Sequence, residues 1–177
     1  FNLITGVYQP TEGEIRFEGR NAVGLSGKEM KAFRRQAQIV FQNPYESLNP
    51  RFTVAQSVRE PIGIHFDGDQ TDRLIQAMER AGLTPVENYL DRYPHQLSGG
   101  QLQRIAIARA IALEPRFLVA DEPVTMLDVS IRAGILNLLR YFAETLQMAI
   151  LYISHDLSTM RHICSQVAIM YLGRIVE

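Results

Sequence analysis

The chain has 177 residues and a mass of 20.1 kDa, with 46% apolar and 21% charged residues, which suits one domain with its own core and excludes wholesale disorder or a collagen-like repeat. Eighteen basic residues against nineteen acidic ones leave a formal net charge of −1, so there is no basic field for a phosphate backbone and nucleic acid is not an expected partner. The single cysteine, Cys164, excludes an internal disulfide and a cysteine-cluster metal site; no apolar run approaches the roughly 18 residues of a helical membrane span, and the start FNLITGVYQP lacks the basic-then-apolar order of a signal peptide.

A soluble protein of a reducing compartment is therefore expected. The chain opens within an apolar segment (Phe1, Leu3, Ile4) and stops at Glu177 within another. Both ends read as cuts through structure, and a longer polypeptide is the expectation.

In chain order, Pro10 to Gly13 is a turn signal, after which Ile15 and Phe17 share one face of a short antiparallel strand closed by Gly19. Ser26 with Glu29 reads as a capping box opening a helix toward Arg35. Ile39-Val40-Phe41 predicts a brief buried strand ending at Gln42. From Asn43 to about Arg73 the text is punctuated by Pro44, Pro50, Pro61, Gly63 and Gly68; helical patterning returns with Leu74, Ile75 and Met78 and stops at Gly82. A second loop, Thr84 to Gly100, leads into QLQRIAIARAIAL, a helix apolar on most of its circumference and therefore expected to be buried.

Phe117–Ala120 and Ala149–Ile153 are continuous apolar runs of strand length, as in a parallel sheet covered on both faces. Between them Ile131, Ile135, Leu138, Leu139, Phe142 and Leu146 fall at helical spacing, which predicts a right-handed strand–helix–strand crossover. Val167 to Tyr171, Gly173 and Ile175-Val176 predict a hairpin. The class is α/β, with a mostly helical insertion between about Asn43 and Arg116.

In open parallel sheets, ligands sit beyond the carboxyl ends of the strands. After the run at 117–120 come Asp121 and Glu122; after 149–153 come Ser154, His155 and Asp156; after Ile39–Phe41 comes Gln42. Two carboxylates, an imidazole and a carboxamide at three strand ends suit metal-assisted phosphoryl transfer. Asp-Glu-Pro taken alone reads first as a solvated turn, a reading that the buried run in front of it weakens. Ser98-Gly99-Gly100-Gln101, opening the apolar helix, offers unobstructed backbone N–H groups at a positive helix terminus, an anion cradle with Ser98 as a hydroxyl donor. A Gly-Gly turn with Ser98 as a simple N-cap is the other reading of those residues.

LSGGQLQRIAIARAI, then FLVADEP, MLD and ISHD resemble, in order and approximate spacing, the ATP-binding subunit of ABC transporters, over the whole chain. The resemblance implies a P-loop NTPase-like (RecA-like), mostly parallel core from residues 1–42 and 117–177, with a small antiparallel β portion and a helical subdomain at 43–116 that includes the signature. It implies that Gln42 bridges Mg²⁺ and the attacking water, that Asp121 is the Walker B magnesium ligand, and that Glu122 is the general base. His155 then contacts the γ-phosphate of ATP. Leu97 to Gln101 resemble the signature that binds the ATP of the opposite subunit, and Asp128 the aspartate linking the two sites. The implied partners are a second ATP-binding subunit in a head-to-tail dimer, transmembrane permease subunits and, indirectly, a solute-binding protein, at the cytoplasmic face of the membrane.

The chain departs from that pattern in two places. No G-x-x-x-x-G-K-[ST] occurs, and Gly27-Lys28 lacks both the upstream glycine and a following Ser/Thr. The phosphate-binding loop and adenine-stacking aromatic are thus expected upstream of Phe1, and these 177 residues alone are expected to show no ATPase activity. Met126 stands where the family more often has alanine. The stretch VFQNPYESLNPR is similar to the dipeptide, oligopeptide and nickel import group, and Tyr45, Leu48 and Phe52 are candidates for a groove toward a permease helix or for a loop packed on its own subdomain. A soluble ABC ATPase of translation or DNA repair shares the same motifs, and a catalytically inactive dimerisation module shares the dimer surface. Arg104 and Arg109 are expected to support the signature helix, Cys164 to fill a small core space, and His65, His95 and His162 to hold no metal.

Overall fold

The sheet sets the geometry of everything else. The computed structural model describes residues 2–177; Phe1 and the side chain of His162, both named above, lie outside the described residues. Three strands, β3 (Ala37–Val40), β4 (Phe117–Asp121) and β5 (Ala149–Ile153), lie side by side in chain order. All pairings are parallel, Ala37 opposite Phe117 and Phe117 opposite Ala149. Because the strands run the same way, Val40, Asp121 and Ile153 all end on one edge.

Ahead of the sheet, β1 (Arg16–Phe17) and β2 (Arg20–Asn21) form the small antiparallel pair, and α1 (Gly27–Gln36) follows. The capping box expected at Ser26 does not form: the Glu29 amide, which would bond the hydroxyl, bonds the Ser26 carbonyl instead at 3.1 Å, and the side chain makes no cap bond. Strand β3 begins two residues earlier than expected and releases Phe41 to solvent, since its ladder with β4 runs only from Ala37 to Val40.

The proline-punctuated stretch conceals two helices, α2 (Pro44–Ser47) and α3 (Val54–His65). Thr53 and Gln56 cap α3 reciprocally, and Val54, Val58 and Ile62, four residues apart, are its buried stripe. Pro61 sits inside this helix, and tertiary burial of the stripe outweighs the lost N–H bond. Helix α4 (Thr71–Arg80) ends at Gly82, whose φ of +73° carries the chain round while Leu83 N–H bonds Met78 O at 3.0 Å. A β-carbon there would stand 2.5 Å from Arg104 Nη1, which itself donates to Ala81 O at 2.7 Å.

Helix α5 (Gly99–Ile111) is buried on nearly all sides, as expected. Arg109 ties it to the neighbouring helices through Ser47 O and Glu60 Oε2, both at 2.8 Å. Helix α6 (Val129–Glu144) is the crossover between β4 and β5, and α7 (Leu157–Ile163) follows β5. A continuous core joins Val40 and Leu118 of the sheet to Ile62, Met78 and Ile105 of the helical segment and to Ile135, Leu139 and Phe142 of α6. Leu48 belongs to this core, so it is no part of a surface groove; Tyr45 remains exposed.

Strand β5 is less covered than its apolar text implies, because among the described residues it pairs only with β4. A cavity of about 790 Å³ beside it is lined by Ile150, Tyr152, Cys164 and Val167 among others. The tail forms the expected hairpin, β6 (Met170–Tyr171) and β7 (Arg174–Ile175), joined by Leu172 and Gly173, both at positive φ, as a type I′ turn requires.

Candidate active site

Asp121 is the last residue of β4 and is half-buried. Glu122 follows with φ +44°, an uncommon left-handed backbone for a non-glycine residue, and its N–H bonds Ile153 O at 2.9 Å. Conformations of this kind persist where the surroundings over-determine them, and they gather at functional sites. The Glu122 carboxylate is held at both oxygens: Oε1 lies 2.9 Å from His155 Nδ1, while Oε2 accepts from Gln42 Nε2 at 3.2 Å and from Thr125 Oγ1 at 3.0 Å.

The loop carrying His155 is built locally. Ser154 Oγ accepts from Asp156 N–H at 3.0 Å, and Asp156 caps α7 by accepting from Ser158 N–H and Oγ at 2.9 and 2.6 Å. Below it, the buried Tyr152 hydroxyl donates to Thr159 Oγ1, which bonds Asp156 O at 2.8 Å. Side chains from three strand ends, 80 and 33 residues apart in sequence, thus meet on one carboxylate.

The electrostatics follow from these contacts. The hydrogen bond from His155 holds the Glu122 carboxyl below the ordinary carboxylate range despite the opposing effect of burial, and Thr125 adds to the lowering. Reciprocally, Glu122 holds the His155 imidazole above its ordinary 6.5. Burial, then the Glu122 charge, pushes Asp121 up. The charged pair is complete above the depressed Glu122 value and below the raised His155 value. The His155 contribution is full below 6.5 and fades as pH rises through the raised value, whereas that of Glu122 fades as pH falls through its own. With His155 largely exposed, solvent screens the pair and its effect on stability is small. An NMR titration of His155 is expected to show a midpoint above 6.5 that returns toward 6.5 in Glu122→Gln; a midpoint at or below 6.5 in the unsubstituted chain contradicts the contact.

Asp121 and Gln42 line one cavity of about 490 Å³ together with Phe41, Asn43, Glu46, Ser47 and Met126. Gln42 Nε2 is spent on Glu122, which leaves its amide oxygen as a ligand atom in the cavity that it lines together with Asp121. A hard-oxygen pair of this kind fits Mg²⁺, which takes one or two protein ligands and completes its shell with water and substrate phosphates. Among the described residues no group of three or more His, Cys, Asp or Glu gathers as a metal cluster.

Ser98 to Gln101 lie elsewhere, at the start of α5. Ser98 is exposed and forms a full capping box: Gln101 N–H donates to Ser98 Oγ at 3.3 Å and Ser98 N–H to Gln101 Oε1 at 3.0 Å. The cap therefore exists, and the Ser98 hydroxyl proton is still able to donate outward. Gly100 is needed for packing: a β-carbon there would stand 2.7 Å from Ile131 Cγ2, in the first turn of α6. Asp128 is the exposed N-cap residue of α6, and its side chain makes no cap bond. Reading the sequence passed over the contact of Thr125 with Glu122; a hydroxyl three residues beyond an acid in a turn was the available signal.

A family profile described as ABC transporter matches residues 1–125. The chain belongs to the ABC transporter family. Among curated relatives, it is 44% identical over 175 residues to the oligopeptide transport ATP-binding protein AppF of Bacillus subtilis, covering 97% of this chain and 53% of that protein. It is 46% identical over 179 residues to the dipeptide transport ATP-binding protein DppF of Haemophilus influenzae, covering 99% of this chain and 54% of that protein. The chain thus spans about half the length of the curated relatives it matches.

Two solved ABC cassettes share the fold. A dimeric post-hydrolysis state of the ATP-binding cassette MJ0796 bound to ADP and Pi superposes with a TM-score of 0.79 at 31% identity, covering 91% of this chain and 70% of that one. The cbiO1 protein of Clostridium perfringens, part of the transporter complex cbiONQ, gives 0.86 at 29% identity, covering 99% and 69%. Among the described residues no helix of this ABC-family chain is long and apolar enough to cross a membrane.

Proposed function

We propose that the chain is part of the ATP-binding subunit of an ABC importer for peptides or a related solute, coupling ATP hydrolysis in a head-to-tail dimer to transport. The observation that carries this reading is the Glu122 carboxylate, held by His155 and Gln42 at the common edge of three parallel strands, next to Asp121. The relatives named for oligopeptide and dipeptide transport support the solute class, and the dimeric cassette supports the pairing.

In this reading Glu122, kept ionised by its hydrogen bonds, takes a proton from the water that attacks the γ-phosphate. His155 contacts that phosphate, and Gln42 reports its presence to the loop that follows. Asp121 and the Gln42 amide oxygen would hold Mg²⁺, which would supply neutralisation of phosphate charge there. Ser98, Gly99, Gly100 and Gln101 bind the nucleotide seated on a second ATP-binding subunit, and Asp128 links the two sites; Ser98 and Asp128 are exposed, as that role requires. Residues 43–116 are the arm that carries the signature, and permease subunits with a solute-binding protein complete a complex at the cytoplasmic face of the membrane.

Proteoliposomes holding the full-length protein with its permease and binding protein test the reading. ATP turnover is expected to rise when binding protein loaded with solute, di- or oligopeptide first, is supplied; turnover indifferent to peptide removes peptide as the solute, and turnover indifferent to any loaded binding protein overturns the reading.

A further inference from the structure

We propose that Thr125 and Arg132 are positioning residues for Glu122, fixing its carboxylate from within the same chain whatever the nucleotide does to its other partners. The inference rests on Glu122 being the base for hydrolysis, as proposed above. Of the three side chains on that carboxylate, Gln42 and His155 are exposed, and each has a second task toward metal or phosphate. Thr125 is different. It is half-buried in the turn that Glu122 itself opens, its N–H bonds Glu122 O at 3.2 Å, and its hydroxyl donates to Oε2 at 3.0 Å. A hydroxyl-to-carboxylate bond is charge-assisted and short-range, well suited to holding one rotamer.

The turn is in its own right anchored. Arg132, in the first turn of α6, reaches back along the loop: Nε donates to Leu127 O at 2.7 Å and Nη2 to Thr125 O at 3.4 Å. Arg132 N–H meanwhile bonds Asp128 O at 3.0 Å, so the residue is seated at the helix start. A planar fork with one nitrogen for each of two carbonyls sets both position and orientation, which a lysine ammonium does not. Helix α6 is itself immobilised by Ile135, Leu139 and Phe142 in the core. A connected path therefore runs from the core, through Arg132 and the 125–127 carbonyls, to the Thr125 hydroxyl and Glu122 Oε2. When Gln42 and His155 turn to their other ligands, this path keeps the base aimed.

The test is steady-state hydrolysis by the full-length protein, with kcat and KM for ATP separated. Thr125→Ser keeps the donor and is expected to stay within about twofold of the unsubstituted protein. Thr125→Val keeps shape but removes the donor, and Arg132→Met removes the fork; each is expected to lower kcat about tenfold or more, with KM within about twofold, as misplacement of a catalytic group does. Should Arg132→Met fail to fold, the Thr125 pair decides alone. Turnover by Thr125→Val equal to that of the unsubstituted protein, a loss equally large in Thr125→Ser, or a loss borne by KM overturns the role. An unsubstituted protein that does not hydrolyse ATP removes the reading on which the role rests, and the role with it; a hydrolysing protein indifferent to Thr125→Val removes the role alone.

Discussion

Glu122→Gln in the full-length protein is expected to lower ATP turnover by a factor of about 10² to 10⁴, the usual worth of a positioned general base. Glutamine matches glutamate in size and keeps one oxygen to accept from Thr125 or His155, so the loop is expected to hold its shape; what disappears is the capacity to take a proton. Nucleotide binding and ATP-dependent pairing should survive, because neither uses that proton. Sedimentation of the variant with ATP and Mg²⁺ should show a dimer that persists where the unsubstituted protein's dimer decays. Turnover within tenfold of the unsubstituted protein, or no pairing with ATP, contradicts the assignment. A soluble ABC ATPase would behave in the same way, and the peptide response described above separates the two; an inactive dimerisation module would show no change in turnover.

Phe142→Ala is the change with the largest expected effect on stability. Phe142 is fully buried, its backbone carbonyl accepts from Met148 N–H at 3.1 Å where the chain turns into β5, and it joins Leu139 and Ile135 in fastening α6 to the core. Truncation to alanine leaves a cavity that close-packed neighbours fill only partly, and a loss of about 3–5 kcal/mol is expected in chemical denaturation. The consequence reaches the site, since α6 is the crossover that sets β5 beside β4 and so brings His155 to Glu122. A loss under about 1 kcal/mol would show that the helix is held by other contacts.

Much of this was readable residue by residue. Unbroken apolar runs at 117–120 and 149–153 announced parallel strands, and the polar residues directly after them, Asp121, Glu122 and His155, announced a site, because a strand ladder places whatever follows it at a sheet edge. Gln42 was legible in the same way, although its strand stops at Val40 and Phe41 is released. The N-cap at Ser98 was legible at the start of α5, a local motif with no need of distant partners, whereas the reciprocal bond to Gln101 was not read.

What escaped the reading shares a physical cause. Helix α3 hides behind Pro61, since local propensity weighs against it and only burial of Val54, Val58 and Ile62 against neighbouring helices supports it. The Ser26 hydroxyl lacks its expected cap because the Glu29 amide bonds the Ser26 carbonyl. The left-handed turn at Glu122 and the bonds from Thr125 and Arg132 depend on where β5 and α6 come to rest.

The amino-acid order alone is enough to say which groups are available and on which strand or helix end each one stands, because strand period, apolar runs and caps are short-range properties of the text. That His155 and Gln42 share one carboxylate, with Thr125 behind it, follows only once the parallel ladders and the buried crossover helix have set distances between segments up to 80 residues apart, and such distances are properties of packing rather than of neighbouring residues.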